Sequence, residues 1–423
     1  MIVSSLSEWE SAMDNQTTFA AITPAEDKYL PDPKRTGGLC LALSGGGFRA
    51  TLFHLGSIRR LNELALLDSF QSISSVSGGS IMALCLADAM IRIPPDTGKP
   101  LQNFEELASR VREITSSSLR RTVMLKKLLP WNWFRSLAEL VAIELNARVT
   151  KSSLADLPAY PRFIFCATDM AFGSDWVYEK TRAGNYQAGY KQTGLNTITL
   201  AHAAAASGCF PPFFRPMNSG VKASELQPPR SEGSDADACR KKIRLTDGGV
   251  YDNMGLEPLW KNAETLMVSD AGGVFEYSRG RGTISDIKRY TDIIGNQARA
   301  LRKRWLISGF INGAGPGGLP GLTGTYWSTT SDRTRYDPDD KQGYSAEIAN
   351  LIARIRTDLD AFSIAEQAVL ENHGYLMCDI AIKIHLPELY ASAPPMNIPF
   401  KEWMDETKVR AAIKDSAKVH LLG

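Results

Sequence analysis

Histidine is scarce in this chain, long apolar runs are missing, and neither sign of charge is in excess. Five histidines occur among 423 residues, at 54, 202, 373, 385 and 420. None forms an H-x-x-H or H-E-x-x-H pair or a cluster with cysteine, so a metal site has no ligand set and no metal or other cofactor is expected. His54 and His202 sit in helix-like contexts and read as packing residues. No apolar run reaches the roughly 18 residues of a membrane-spanning helix; the most apolar window, Ile81 to Ile93, is broken by Asp88 and Arg92. A net charge of +2 creates no field that would draw the protein to nucleic acid. The first residues, Met1 to Gln16, lack a basic segment followed by an apolar one and carry Glu8, Glu10 and Asp14 instead, which argues against a secretory signal. No C-x-x-C pair links the six cysteines, and four of them lie among apolar or small residues. They read as buried free thiols of a cytoplasmic protein.

What is present is glycine in three particular places. Leu39-Cys40-Leu41-Ala42-Leu43 is a short apolar run suited to a buried parallel strand, and Ser44-Gly45-Gly46-Gly47-Phe48-Arg49-Ala50 follows it. Leu52, Leu55, Ile58, Leu61 and Leu64 then keep helical spacing, which predicts a helix over 49–67. Phe70 to Val76 reads as the next strand, Ser77-Gly78-Gly79 as a turn, and Ile81 to Met90 as the next helix. Strand, glycine loop, helix, strand, turn and helix make a βαβα unit with a parallel sheet. Further strands are expected at 162–169, 243–246 and 265–270, and an alanine-rich helix at 200–207. The stretches 94–151, 221–240 and 307–340 read as less ordered, as an exposed loop and as a mobile loop. Ile348, Ile352, Ile355, Leu359 and Phe362 lie on one helix face, and Ser363-Ile364-Ala365-Glu366 has capping-box form. The expected organisation is a lead-in at 1–36, a catalytic domain at 37–306, and a loop and helical extension at 307–423 packed on it, with 394–423 as an appendage.

Each glycine segment suggests a chemical task. A nucleophilic serine on a strand-to-helix elbow needs small residues two before and two after it; around Ser77 these are Ser75 and Gly79, giving S-x-S-G-G in place of G-x-S-x-G. The same segment also reads as a helix cap. Gly45, Gly46 and Gly47 before a helix leave backbone N–H groups for an oxyanion, aided by the helix dipole, while Arg49 can brace the loop or add charge. The loose dinucleotide pattern Gly45-x-Gly47-x-x-Ala50 lacks the acid that should end the second strand, and no Gly-Lys-Ser/Thr follows for a P-loop. Asp247, before Gly248-Gly249, can take a proton from serine directly if the fold brings it 170 residues back to Ser77. As an isolated segment it equally reads as a turn aspartate.

The ordered set Ser44-Gly45-Gly46-Gly47-Phe48-Arg49-Ala50, Ser77-Gly78-Gly79 and Asp247-Gly248-Gly249, with Ala203 to Pro212 ahead of the last, resembles the patatin-like phospholipases over roughly residues 39–259. Ser44 stands where many members have aspartate, and the S-G-G-G-F-R form is also similar to cytosolic phospholipase A2. The resemblance implies a three-layer α/β/α fold with a central, mostly parallel sheet. It implies Ser77 as nucleophile, Asp247 as base and the 45–47 loop, flanked by Arg49, as oxyanion hole, with no calcium required. The implied reaction is hydrolysis of fatty-acyl esters of glycerophospholipids at a membrane surface, with the enzyme cytoplasmic or peripheral at the inner face. Rival readings are a membrane-degrading effector switched on by a cyclic nucleotide or by self-assembly, a non-catalytic binding or scaffold protein that has kept the fold, and a thioesterase acting on soluble acyl carriers. For substrate access, 119–135 mixes basic, aliphatic and tryptophan residues. It reads either as a membrane-surface element or as an ordinary amphipathic helix with its tryptophans in the core. The Gly-rich stretch from Gly309 to Gly324 reads either as a lid or as a plain loop.

Overall fold

Alternate residues of the apolar runs point into two different cores, which is why these strands read as continuously apolar rather than alternating. In the computed structural model, Leu41, Leu43, Ile73, Phe163, Phe165, Met267 and Trp327 face one core. Cys40, Ala42, Val76, Ile164, Cys166, Leu266 and Val268 face the other. The structure describes residues 35–211, 213–227, 231–275, 283–312 and 322–418. The lead-in before residue 35 and most of the glycine-rich stretch suggested as a lid lie outside the described residues.

The sheet is built from β1 (Leu39–Leu43), β2 (Ser72–Val76), β3 (Arg162–Asp169), β4 (Ser174–Glu179), β5 (Arg182–Asn185), β6 (Gly189–Lys191), β7 (Met217–Asn218), β8 (Arg244–Asp247), β9 (Thr265–Asp270) and β10 (Thr323–Ser328). Its main order is β10-β9-β1-β2-β3-β4-β5-β6. Pairing is parallel from β10 to β3 and antiparallel from β3 to β6. Helix α1 (Gly47–Glu63) follows β1, and α2 (Gly78–Arg92) follows β2, as the βαβα reading requires. Helices cover both faces of the sheet, giving the expected three-layer α/β/α architecture.

Several elements differ from the sequence reading. The stretch 94–151 holds three helices, α3 (Phe104–Thr115), α4 (Leu119–Lys127) and α5 (Leu137–Arg148). Helix α3 buries Phe104, Leu107, Ala108, Val111 and Ile114, a helical spacing that is present in the sequence. Helix α6 (Leu200–Ser207) lies as expected, while α7 (Ser234–Arg240) occupies the end of the anticipated 221–240 loop. After β8 come the short α8 (Gly249–Asp252) and then, beyond β9, the long α9 (Thr283–Asn312), which the sequence reading did not assign. The anticipated 307–340 loop contains β10, an edge strand that pairs in parallel with β9. The apolar positions from Ile348 to Phe362 are not one helix. Helix α10 (Ala346–Ala353) ends at Arg354, and the chain beyond it supplies carbonyls to the glycine loop. Helix α11 (Ile364–His385) starts at the expected capping box, with Ser363 and Glu366 bonded reciprocally. It crosses α1 at backbone contact. The chain ends its described part with α12 (Pro387–Tyr390) and α13 (Glu406–Ile413).

Candidate active site

Ser77 stands between the last residue of β2 and the first of α2, with φ 51° and ψ −117°. Among described non-glycine residues only Arg35, Ala65 and Ser77 have positive φ. Such a backbone is strained and persists only where the surroundings over-determine it. Here it turns the serine out of the sheet into a half-exposed position, as a nucleophile elbow does. The two following glycines allow the close approach that makes the turn. A Cβ on Gly78 would lie 2.0 Å from the Gly47 carbonyl oxygen, and one on Gly79 would lie 2.5 Å from that of Leu43. Ser75 is fully buried; its hydroxyl accepts from Ser80 at 3.0 Å and donates to the Ile164 carbonyl at 3.3 Å.

The glycine loop packs directly against this elbow: a Cβ on Gly45 would lie 3.1 Å from Ser77 Cβ. Gly46 and Gly47 take φ values of 144° and 57°, which only glycine adopts readily. The Gly45 N–H, expected as an oxyanion donor, instead donates to the Asn253 carbonyl at 2.9 Å, and the Phe48 N–H donates to that of Asp358 at 3.0 Å. Among the described residues no acceptor meets the N–H groups of Gly46 and Gly47. The free donors are therefore these two, at the positive end of the α1 dipole. Arg49 is a brace. Its guanidinium, 2% exposed, donates to the carbonyls of Ala353 (2.6 Å), Ile355 (2.9 Å) and Ala271 (2.7 Å). Burial and the nearby Arg299 lower its pKa to about 10, with Asp270 opposing them. Arg299 Nη2 donates to both carboxylate oxygens of Asp270, at 2.8 and 2.7 Å. On the inner side, His54 is fully buried between the Ser269 hydroxyl (2.8 Å) and the Ser44 carbonyl (2.9 Å). Burial lowers its pKa to about 4, so it is neutral and packed, as the sequence suggests.

Sheet register brings Asp247 to Ser77. Strand β2 runs parallel to β3 and stops with Val76 opposite Cys166. Strand β8 runs antiparallel to β3 and stops with Asp247 opposite Ala167, the next residue. Strand β4 occupies the other edge of β3 at that point, so β2 and β8 meet end to end along one edge. Asp247 is 2% exposed. Its Oδ1 accepts from the Gly249 N–H at 2.7 Å, while its buried Oδ2 has no partner at full hydrogen-bond distance among the described residues. Burial raises its pKa to about 6, against the pull of the Gly249 N–H and the Ser77 hydroxyl. The site thus holds a buried carboxylate shifted towards neutrality near a serine hydroxyl.

Ser207, at the end of α6, joins the two halves and was not singled out from the sequence. Its hydroxyl accepts from the Ser77 N–H at 2.9 Å, donates to the Cys166 carbonyl at 2.6 Å and meets the Ser80 hydroxyl at 2.8 Å. Its carbonyl accepts from the Gly248 N–H at 3.1 Å. A hydroxyl residue closing an alanine run is the signal that could have found it. Thr168 adds a bond to the Asp247 carbonyl at 2.8 Å. Loops bordering Ser77 carry exposed apolar side chains: Phe210 (57%) and Phe213 (37%) after Gly208, and Val250 (53%) after Gly249.

The patatin-like phospholipase family model matches residues 41–260. No curated protein sequence matches the chain. Among solved structures, VipD from Legionella pneumophila is similar at 14% identity and a TM-score of 0.33, covering 83% of this chain and 67% of its own. Human GIVD cytosolic phospholipase A2 is similar at 10% identity and a TM-score of 0.46, covering 85% and 63%. The same human enzyme, in complex with a methyl gamma-linolenyl fluorophosphonate inhibitor and terbium chloride, gives 12%, 0.47, 85% and 60%. The chain thus spans about three fifths to two thirds of the length of these structures. The family match covers more than half of the sequence, from β1 past the Asp247 loop, and the chain belongs to the patatin-like phospholipase family.

Proposed function

We propose that the protein hydrolyses fatty-acyl esters of membrane glycerophospholipids through Ser77 and Asp247. The observation that carries this reading is the elbow: a strained serine beside a buried carboxylate, with two free N–H groups next to it. Asp247 takes the proton from Ser77 Oγ as the oxygen attacks the ester carbonyl carbon. The carbonyl oxygen becomes an oxyanion, stabilised by the Gly46 and Gly47 N–H groups and the α1 dipole. Collapse of the tetrahedral species breaks the bond to the lysolipid oxygen, which takes the proton from Asp247. Water then attacks the acyl-serine carbonyl carbon with Asp247 again as base; the bond to Ser77 Oγ breaks, Oγ takes the proton back from Asp247, and the fatty acid leaves.

The test is mass spectrometry of mixed phospholipid vesicles incubated with wild type, Ser77→Ala and Asp247→Asn. Free fatty acid and lysolipid from wild type alone is the expected outcome, with both variants reduced by about 10³-fold or more. Equal product from all three would overturn the site assignment.

A further inference from the structure

Between Ser116 and Ala138 the chain carries no acidic residue, but five basic ones, Arg120, Arg121, Lys126, Lys127 and Arg135. Helix α4 buries only Leu119 and Val123. Met124 (50%), Leu125 (57%), Leu128 (72%), Trp131 (70%), Trp133 (63%) and Phe134 (100%) stand exposed, so the reading that places these tryptophans in the core is wrong. They are not loose. The Lys127 ammonium donates to the carbonyls of Asn132, Trp133 and Arg135. Asn132 returns a bond to the Lys126 carbonyl at 2.8 Å, and Trp133 Nε1 donates to that of Leu128 at 3.3 Å. A capping box at Ser136 and Glu139 then starts α5. Ion pairs from Arg120 to Asp360 and from Lys126 to Glu144 anchor the knob to the body. The result is an ordered turn whose polar groups bond inward and whose largest apolar side chains point outward. Exposed apolar surface of this extent marks an interaction site.

Two features name the occupant. Tryptophan and phenylalanine tips beside lysine and arginine, with no acid, suit the headgroup level of an anionic bilayer. The helix that carries the knob also reaches the site mouth at its other end. The Arg120 guanidinium lies 5.5 Å from the centre of the Phe213 ring, and Phe213 belongs to the loop after Gly208, which abuts Ser77. We infer that the turn between α4 and α5 is the surface by which the protein docks on an anionic phospholipid bilayer, seating the mouth of the Ser77 site against the lipid. This inference rests on the lipid-hydrolase reading above for its meaning, but its binding step can be measured apart from hydrolysis.

The experiment is cosedimentation of the full chain with vesicles of equimolar phosphatidylcholine and phosphatidylglycerol, in a Ser77→Ala background so that the lipid stays intact. Adding Trp131→Ser, Trp133→Ser and Phe134→Ser together should weaken vesicle affinity by about tenfold or more. Arg135→Glu should weaken it severalfold on anionic vesicles and leave binding to pure phosphatidylcholine unchanged. With Ser77 intact, the triple variant should lose vesicle hydrolysis in proportion and keep its rate on p-nitrophenyl butyrate, a soluble ester. The inference is overturned if the parent ignores anionic vesicles, or if the triple variant binds and hydrolyses them like the parent. It is also overturned if the triple variant only converts a dimer to a monomer in sedimentation, because the face is then an interface between copies. Docking that depends on the turn, without fatty-acid release by wild type, would uphold the surface and sink the hydrolase reading instead.

Discussion

At the scale of single residues, the site turns on how burial treats a carboxylate and a histidine. Asp247 is moved from an ordinary 3.8 to about 6 by burial, and His54 from 6.5 to about 4 by the same cause. The acid is therefore the group that titrates near working pH. In the proposed mechanism Asp247 of the free enzyme must be ionised to accept a proton, so kcat/KM on a soluble ester should rise with pH through about 6 and level off above it. His54→Gln should leave that midpoint in place, whereas a midpoint that moves with His54 would give the base to the histidine. The same shift links to stability. Below the unfolded value the carboxyl is neutral in both states. Above about 6 it is charged in both, and the folded state bears the full penalty of a buried charge. Stability is therefore lost as pH rises between the two values, by at most about 3 kcal/mol. Asp247→Asn should remove that loss, so its thermal midpoint should gain on wild type between about pH 4 and pH 6 and keep that lead above it. Parallel curves across that range would show that the carboxylate is not shifted.

At the scale of elements, α1 and α11 cross where glycine faces backbone on each side. A Cβ on Gly56 would lie 1.9 Å from the Glu371 carbonyl oxygen, and one on Gly374 would lie 1.8 Å from that of Phe53. Neither obstacle is a flexible side chain, so an added methyl must push the helices apart. Gly374→Ala should destabilise the protein by about 3 kcal/mol, at the upper end for overpacking, read as a lowered denaturant midpoint. An unchanged midpoint would mean that the helices part freely. The same crossing positions the first turn of α1, and hence the glycine loop, so activity should fall with it. The S-G-G-G-F-R and S-G-G segments were legible as motifs because glycine at fixed offsets has a local reason. The α1–α11 contact was not legible, because Gly56 and Gly374 meet only across 318 residues of chain.

At the scale of the whole molecule, the family match ends at residue 260, but the support of the site does not. The Arg49 bonds reach Ala353 and Ile355, and the Phe48 N–H reaches Asp358. Strand β10 extends the sheet beyond β9, and Trp327 on it is fully buried, its Nε1 donating to the Ser57 hydroxyl of α1 at 2.9 Å. A chain ending at residue 306, the expected domain boundary, loses these carbonyls, this strand and the helix that covers α1. It should show no cooperative thermal unfolding and no esterase activity. A truncated chain that melts cooperatively would establish 37–306 as an independent unit.

By itself the sequence determined the local structure: the βαβα start, the glycine segments before α1 and α2 and the capping box at Ser363, all set by residue types acting over a few positions, and it singled out Ser77 and Asp247 as the candidates for the proposed chemistry. Only the tertiary structure decided which donors are free, because the Gly45 N–H is taken by Asn253, a residue distant in sequence. It also decided that Arg49 braces rather than faces the site, and that Trp131, Trp133 and Phe134 stand in solvent rather than in the core. The physical reason is one of range. Backbone strain, capping and strand propensity are local, whereas hydrogen-bond partnership, burial and the pKa shifts that follow from it depend on what the rest of the chain places alongside.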